Sequence, residues 1–372
     1  MDRRAVRSAL AAFVLSRLLL FALIAIGSQI AFLSKVYSNS VWETKIELEA
    51  KRIVPELGRI VMVGDAWWYR SIAQQGYRAQ SAAFFPLYPL TVRAARITGD
   101  FVTDGVIVSN VALLAAFLLL GAVAKKSGLA PDDVERSLFY FAFFPTSYFL
   151  SFPLTESLFL ALSLAAFFGA QHDRWWLAGI FGALAALTRF AGILLLPALV
   201  LYALQHKPRR RFDLAWLAMI PAGTAAFMIY LHQLTGDALA FVHAQRNWGR
   251  ASAWFWEPVV AYITNASAVS EPWNFRAFHF LVALLLVMAG IAWLARREWA
   301  FGVYTITSVL LPLSSASLQS MARYALVVFP LFFFLAILGR RPLLDRMMAA
   351  TLVLLYGWFV ALMTLRVDFA LA

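Results

Sequence analysis

Residues 106–124 read VIVSNVALLAAFLLLGAVA, a run without a charged residue, and similar apolar runs recur along the chain. A helix needs about 20 apolar residues to cross the roughly 30 Å hydrocarbon core of a membrane. The recurrence predicts an all-α polytopic membrane protein with eleven transmembrane helices. The predicted spans lie at about 15–34, 106–124, 137–153, 155–170, 175–190, 191–204, 214–233, 278–295, 299–313, 323–338 and 347–365.

The composition excludes several classes of protein. Of the 372 residues, 62% are hydrophobic and 14% are charged, whereas soluble domains have about 45–50% apolar and about 25% charged residues. A soluble enzyme, a disordered chain and a collagen-like repeat are therefore excluded. The chain has no cysteine, which excludes disulfides, a thiol nucleophile, a thiolate metal site and an iron–sulfur cluster.

The distribution of lysine and arginine predicts the orientation. An arginine-rich N-terminus precedes the first span, which we interpret as an uncleaved anchor, and the basic run KPRRR follows at 207–211. The positive-inside rule then predicts a cytoplasmic N-terminus in the cell (inner) membrane. The net charge of +12 belongs to such cytoplasmic loops, so no nucleic-acid partner is expected. Residues 175–204 form either one tilted span or two. Two spans place the basic run KPRRR on the cytoplasmic side, as the positive-inside rule expects.

We expect a single integral membrane domain over residues 1–372, with long extracytoplasmic loops at about 35–105 and 234–277. In the first loop, GDAWWYRSIAQQGY predicts a short helix. Asp65 is placed as its N-cap, accepting backbone N–H groups of the first turn, and Gly76 as its end. The next run, AAFFPLYPL, contains two prolines that are predicted to prevent a regular helix.

Aromatic residues in both loops are candidates for substrate binding. Trp68, Tyr69 and Tyr77 belong to the first loop, and His243 lies in the tryptophan-rich second loop. Aromatic faces with a few hydrogen-bond donors suit a sugar or a lipid headgroup. They equally suit residues that only anchor a loop at the membrane surface, and both interpretations stay open.

Charged residues inside predicted spans are functional candidates because burying a charge in lipid costs at least ~2.5–3.5 kcal/mol. Arg189 lies deep in an apolar stretch, Glu156 opens a span, and Arg323 precedes Tyr324 at the start of another. The structural alternatives are an ion pair between Arg189 and Glu156, and a boundary arginine that extends into the headgroups. Snorkelling of this kind is the explanation we prefer for Arg17, near the cytoplasmic end of the first span.

Four blocks of the sequence resemble a known family. The first loop carries GDAWWYRSIAQQGY and AAFFPLYPL, followed by FFPTSYFLSFPLTESLFLAL at 143–162, ALAALTRFAGILLLP at 183–197 and SMARYALVVFPLF at 320–332. In this order they resemble the PIG-V-type mannosyltransferases, which add the second mannose in GPI-anchor assembly and have bacterial relatives. The sequence departs from the family pattern in two places. Glycine stands at position 64, where the family has a tryptophan before the aspartate. The residues before Glu156 read PLT, where the family has a tyrosine.

The resemblance implies a GT-C fold with its active site on the extracytoplasmic side. It implies transfer of a sugar, mannose in the family, from a polyprenyl-phosphate donor to a hydroxyl of a lipid-linked or glycan acceptor, with inversion. Asp65 would be the general base, and Glu156 would line the acceptor or sugar pocket. Arg189 and Arg323 would bind the donor phosphate, with Tyr324 beside them. No cofactor is expected. The sequence has no dense acidic cluster, which argues against a tightly bound metal, and a need for a divalent metal stays open.

The alternative function is that of a polytopic transporter or glycolipid flippase that moves lipid without glycosyl transfer. Intramembrane arginine and glutamate fit that class too, but transporters commonly contain paired repeats with broken helices, and no repeat is visible in the sequence. A structural membrane scaffold is a third class, for which no single polar residue would matter.

Overall fold

The computed structural model describes residues 3–34, 56–248, 252–264, 276–315 and 317–365. These residues form α-helices, joined in places by 3₁₀ turns, and contain no β-strand. The helices are α1 Arg3–Ser34, α2 Glu56–Val61, α3 Ala66–Gln75, α4 Leu87–Ala95, α5 Phe101–Lys126, α6 Pro131–Ala142, α7 Glu156–Gln171, α8 Trp175–Thr188, α9 Leu195–His206, α10 Met219–Thr235, α11 Ala240–His243, α12 Glu257–Thr264, α13 Arg276–Ala295, α14 Trp299–Leu313, α15 Met321–Ala325, α16 Pro330–Leu338 and α17 Pro342–Thr364.

Several of these helices can cross a membrane. Five are long and apolar enough by length and composition: Arg3–Ile30, Phe101–Lys126, Arg211–Thr235, Ala277–Ala295 and Pro342–Thr364. Shorter apolar helices pack among them, with α7 against α5 and α8, and α14 against α9 and α13. The prediction of an all-α polytopic membrane protein is confirmed. Whether the predicted single domain covers the whole chain stays a prediction.

Two predicted spans are broken. The prediction for 137–153 is wrong, because α6 ends at Ala142 and a separate 3₁₀ turn follows at Ser147–Ser151. Pro145 stands between them, and a residue that precedes proline is disfavoured in the helical conformation. The prediction for 323–338 is also wrong, because the chain divides there into α15 and α16. Irregular backbone therefore lies before α7 and beside α15, inside the helical bundle.

The doubtful segment 175–204 consists of two helices. α8 ends at Thr188, Arg189 has extended backbone with φ −152° and ψ 146°, and a 3₁₀ turn at Phe190–Leu194 leads into α9. The turn approaches α8 closely at Gly192, where an added Cβ would lie 2.3 Å from the backbone nitrogen of Ala186. Only glycine fits there, so this bend places Arg189 outside the helical hydrogen-bond pattern.

One end of the bundle is tied by ion pairs on α6. Asp133 is fully buried and accepts hydrogen bonds from Arg136 and from Arg340, at 2.7 and 2.6 Å. Arg4 on α1 pairs with Asp132 and Glu135, at 2.8 and 2.7 Å.

The snorkelling expected for Arg17 is wrong. α1 begins at Arg3, so Arg17 lies roughly 21 Å further along the helix at about 1.5 Å per residue, and it is buried. Its guanidinium donates hydrogen bonds to the carbonyls of Ala142 and Ser147 and to the hydroxyl of Ser151.

Short helices form the described part of the first long loop. α3 begins and ends as predicted, with Gly76 in the left-handed half of backbone space at φ 83°. The prediction that two prolines prevent a helix is wrong, because α4 follows Pro86 directly and contains Pro89 in its first turn. First-turn N–H groups have no intrahelical partner, so a proline there removes no hydrogen bond. Residues 35–55 and 265–275, which belong to the two predicted loops, lie outside the described residues.

Candidate functional site

Asp65 stands at the start of α3 in a turn that depends on glycine. Gly64 has φ 47°, in the left-handed region that a residue with a side chain disfavours. Asp65 occupies the N-cap position, but its side chain makes no capping hydrogen bond, so the predicted role as a side-chain cap is wrong. The carboxylate is instead 35% exposed and faces Arg323, with Oδ2 2.9 Å from Nη2.

Arg323 joins the loop to the interior of the bundle. Its side chain is 9% exposed, and Nε donates a hydrogen bond of 2.7 Å to Oε1 of Glu156. Cζ lies 5.4 Å from the centre of the Phe149 ring, a distance at which the ring face attracts a cation. Arg323 lies on the short helix α15. The contacts with Glu156 and Phe149 orient its guanidinium.

Glu156 is the first residue of α7 and its side chain is fully buried. Oε1 accepts a second hydrogen bond, of 2.5 Å, from Nη1 of Arg189, and the same Nη1 lies 3.1 Å from the hydroxyl of Thr155. Oε2 has no hydrogen-bond partner among the described residues. A carboxylate at a helix N-terminus is favoured by the helix dipole, and two guanidinium groups compensate the remaining cost of its burial.

One chain of contacts, which we call the ion-pair chain, runs from Asp65 through Arg323 and Glu156 to Arg189. It contains two carboxylates and two guanidinium groups, so its formal charges balance. Exposure falls from 35% at Asp65 and 18% at Arg189 to none at Glu156. A ligand that approaches from the loop would therefore meet Asp65 and Arg189 first.

Two of the aromatic candidates lie beside the ion-pair chain. Cζ of Arg189 lies 5.5 Å from the ring centre of Tyr324. Tyr69 is buried and interacts with the side chain of Thr155 and with the charges of Asp65 and Arg189. Burial raises the pKa of Tyr69 above its usual range, so the phenol stays protonated and can donate a hydrogen bond.

The aromatic rings of the loop also hold α3 against α4. Trp68 stacks on Phe84 with ring centres 5.4 Å apart, and Tyr69 makes edge contacts of 5.5 Å with Phe84 and with Tyr88. Trp68 follows Asp65 by three residues and is half-buried. It can therefore pack within the loop and still present part of its ring to a ligand.

Tyr77 and His243 lie apart from the ion-pair chain in the described contacts. The Tyr77 hydroxyl donates to the carbonyl of Phe84 at 2.6 Å, and its ring packs against Phe227 of α10. His243 is exposed, with Nδ1 2.7 Å from Oδ2 of Asp237. This contact holds the pKa of Asp237 below its usual range. Tyr77 packs the loop against α10, and substrate binding by Tyr77 and by His243 stays a prediction.

Sequence reasoning missed three residues of the site. Phe149 and Thr155 both belong to the block FFPTSYFLSFPLTE, so the block that indicated Glu156 also contained them. His279 is buried in α13, and its Nδ1 accepts the backbone N–H of Ala322 at 3.2 Å, beside Arg323. An ionisable residue within an apolar span was the signal that could have identified it.

The described residues contain no group of three or more histidine, aspartate or glutamate side chains that could hold a metal ion. The two carboxylates of the ion-pair chain already face arginine. The arrangement therefore provides a partly exposed carboxylate at Asp65, a cation in contact with it at Arg323 and a second, partly exposed cation at Arg189.

Comparisons with known proteins found similarity in helix arrangement. No family model and no curated protein matches the chain. The oligosaccharyltransferase of Archaeoglobus fulgidus, tethered to an acceptor peptide, is 13% identical over 95% of this chain and 54% of its own, with a TM-score of 0.45. Its complex with zinc and sulfate is 14% identical over 94% and 53%, with a TM-score of 0.46.

The same archaeal enzyme, AglB, in complex with an inhibitory peptide and a dolichol-phosphate, is 13% identical over 95% of this chain and 56% of its own, with a TM-score of 0.47. This chain therefore spans about half the length of these solved structures. At this level of similarity the comparison concerns the arrangement of helices, and it does not assign the activity, substrates or partners of AglB to this chain.

Proposed function

We propose that this protein is a membrane glycosyltransferase of the GT-C superfamily. It would transfer a sugar from a polyprenyl-phosphate donor to a hydroxyl of a lipid-linked or glycan acceptor, on the extracytoplasmic side of the membrane. The convergence of Asp65, Arg323, Glu156 and Arg189 in one chain of contacts carries the proposal. The sequence blocks that resemble PIG-V-type mannosyltransferases contribute all four residues, and they make mannose the first sugar to test.

In the proposed reaction Asp65 acts as the general base. Its carboxylate would take the proton of the acceptor hydroxyl while that oxygen bonds to the anomeric carbon. The bond from the anomeric carbon to the phosphate oxygen breaks on the opposite face, so the configuration inverts. The leaving group is a polyprenyl phosphate, which carries the electron pair of the broken bond. The partial exposure of Asp65 supports this role, because an acceptor can reach it.

The two arginines would stabilise the negative charge that develops on the phosphate. Guanidinium groups present a fixed fork of donors that matches phosphate oxygens, and preorganised charges act strongly in a site of low dielectric. Arg323 and Arg189 are both oriented by Oε1 of Glu156. Glu156 would therefore hold the arginines in place, and the exposed edge of Arg189 would meet the donor.

The experiment is a transfer assay with purified protein in liposomes. Polyprenyl-phosphate mannose is supplied with a panel of lipid and glycan alcohols, and mass spectrometry detects a new glycosidic bond that is absent with Asp65→Asn. Lipids from a strain that lacks the protein, compared with its parent, identify the natural product. Movement of labelled lipid between leaflets without a new glycosidic bond would instead establish the flippase alternative and overturn the proposal.

A further inference from the structure

We propose that Arg17 of α1 is a positioning residue for the ion-pair chain. Arg17 holds the break between α6 and α7, the segment of residues 143–155, in the conformation that places Phe149, Thr155 and Glu156. The effect that we assign to ligand binding rests on the proposed function. The effect on the conformation of the break does not.

Both Nη atoms of Arg17 face this segment and the end of α6. Nη1 donates to the carbonyl of Ser147 at 3.1 Å and to the hydroxyl of Ser151 at 3.0 Å, and Nη2 lies 3.4 Å from the carbonyl of Ala142. Nε lies 3.3 Å from the hydroxyl of the neighbouring Ser16. All of these partners are neutral, and the side chain of Arg17 is 5% exposed.

A buried arginine without a described carboxylate partner is costly within a membrane, so its position calls for a physical reason. Where α6 ends at Ala142, the carbonyls of Phe139 and Phe141 still accept backbone N–H groups, and the carbonyl of Ala142 accepts side-chain donors. Unsatisfied carbonyls are especially unfavourable in lipid, where no water replaces the donor. The hydroxyl of Ser147 donates to the carbonyl of Ala142 at 2.7 Å. Arg17 adds a longer contact to that carbonyl and a hydrogen bond to the carbonyl of Ser147, so its guanidinium joins the end of α6 to the 3₁₀ turn.

A second helix secures the same point of the break. The hydroxyl of Ser151 donates to Oδ1 of Asn110 at 2.8 Å, and Nδ2 of Asn110 returns a hydrogen bond of 3.2 Å to the carbonyl of Ser151. Ser151 is therefore fixed between Arg17 on α1 and Asn110 on α5. α1 and α5 therefore both hold the last residue of the 3₁₀ turn.

The contacts of the ion-pair chain begin within the same segment. Phe149 lies two residues before Ser151 and faces Arg323, with 5.4 Å between Cζ and the ring centre. Thr155 and Glu156 follow at its end and both contact Arg189. A shift of the segment would therefore move the partners of both arginines together.

The first test measures the conformation of the break without any ligand. Because the chain has no cysteine, Leu154→Cys introduces a single thiol at a buried position, and its rate of labelling by a membrane-permeant maleimide reports opening of the segment. We expect Arg17→Lys, which keeps the charge but loses the fork, to raise this rate roughly tenfold or more, since each lost hydrogen bond to a charged group changes an equilibrium by about that factor. Ser151→Ala should act in the same direction with a smaller effect.

Arg4→Gln is the matched control, because Arg4 also joins α1 to α6, through Asp132 and Glu135, which both lie before the break. Labelling of Cys at position 154 should keep the wild-type rate in this variant. If Arg17→Lys and Ser151→Ala are folded and label as slowly as the parent, Arg17 does not hold the segment and the proposal is overturned.

The second test measures binding of undecaprenyl phosphate to the same variants in nanodiscs. Arg17→Lys should weaken binding roughly tenfold, whereas Arg4→Gln should bind like the wild type. Faster labelling with unchanged binding would overturn the positioning role. If the wild-type protein binds no polyprenyl phosphate, the proposed function fails, and the labelling rates still decide whether Arg17 holds the break.

Discussion

Nη2 of Arg323 lies 2.9 Å from Oδ2 of Asp65, yet among the residues that the structure describes this buried nitrogen has no hydrogen bond of acceptable geometry. Nε of the same guanidinium makes a well-formed hydrogen bond to Glu156. The contact with Asp65 is thus an electrostatic pair without directional bonding, and Glu156 fixes the orientation of the arginine. A phosphate oxygen could take the place of the Asp65 carboxylate and provide the missing geometry. Asp65 and a donor phosphate would then compete for one guanidinium.

Asp65→Asn should abolish sugar transfer while the protein stays folded. Loss of a general base typically costs ~10²–10⁴-fold in rate, and the side chain of Asp65 caps no helix, so α3 loses no hydrogen bond. Initial rates of transfer and thermal melting of the purified variant provide the two measurements. Residual turnover above about a tenth of the wild-type rate would show that Asp65 is not the base.

Asp100→Ala is the matched control for that experiment. Asp100 lies in the same loop and does cap its helix, because its carboxylate accepts the backbone N–H of Thr103 at 2.9 Å. Removal of an N-cap costs about 1 kcal/mol. This variant should therefore melt at a lower temperature and still transfer sugar. The Asp65 variant would then lose transfer without losing stability, and the Asp100 variant would lose stability without losing transfer.

The same Asp65→Asn variant should bind polyprenyl phosphate more tightly than the wild type. The substitution removes the negative charge that competes for Arg323 and leaves the Glu156 contact intact. A gain of roughly tenfold corresponds to about 1.4 kcal/mol. Binding to nanodisc-embedded protein can be measured by thermal stabilisation or by isothermal calorimetry. Unchanged or weaker binding would mean that the phosphate does not use Arg323.

Glu156→Gln should destabilise the protein strongly. The substitution removes the charge that compensates Arg323 and Arg189 while both guanidinium groups stay largely buried, and breaking a buried pair on one side typically costs about 3–5 kcal/mol. Chemical unfolding in detergent gives the free energy of unfolding. Glu135→Gln, which removes a half-exposed partner of Arg4, should have little effect, since exposed ion pairs contribute little. Equal stability of the two variants would mean that other groups compensate the arginines.

Gly64→Ala should lower both stability and transfer. No atom lies within 4 Å of an added Cβ, so the effect comes from the backbone alone, which has φ 47° at this position. A left-handed conformation costs a residue with a side chain about 1–2 kcal/mol, and any relaxation would turn Asp65 away from Arg323. Gly357→Ala is the control, because its Cβ would also meet no atom and its backbone is helical. Wild-type activity of Gly64→Ala would show that the turn is not needed to aim Asp65.

The sequence predicted the membrane class and the four charged residues because both depend on local features. Apolar runs are recognisable by composition, and a charge within such a run is conspicuous at Arg189 and Glu156. The break after Ala142 was missed because the surrounding residues remain apolar, although Pro145 was visible. The role of Arg17 could not be predicted, since it depends on carbonyls of residues more than a hundred positions away. Pairing between distant segments has no signature in a single sequence.

Arg189→Ala should weaken binding of the polyprenyl phosphate roughly 10–100-fold, because a hydrogen bond to a charged group is worth ~1.5–3 kcal/mol. The exposed edge of Arg189 is the first cation that a ligand would meet from the loop, and Tyr324 and Thr155 hold it there. Arg174→Ala, at the other end of α8 and exposed, provides the matched control and should bind normally.

Arg189→Lys discriminates between charge and geometry at this position. A lysine would keep the positive charge near Glu156 but could not bridge Glu156, Thr155 and a phosphate with one planar group. We therefore expect Arg189→Lys to melt near the wild-type temperature and to bind phosphate almost as weakly as Arg189→Ala. Full binding by the lysine variant would show that Arg189 acts as a point charge, and binding unchanged in both variants would restrict Arg189 to compensation of the buried Glu156.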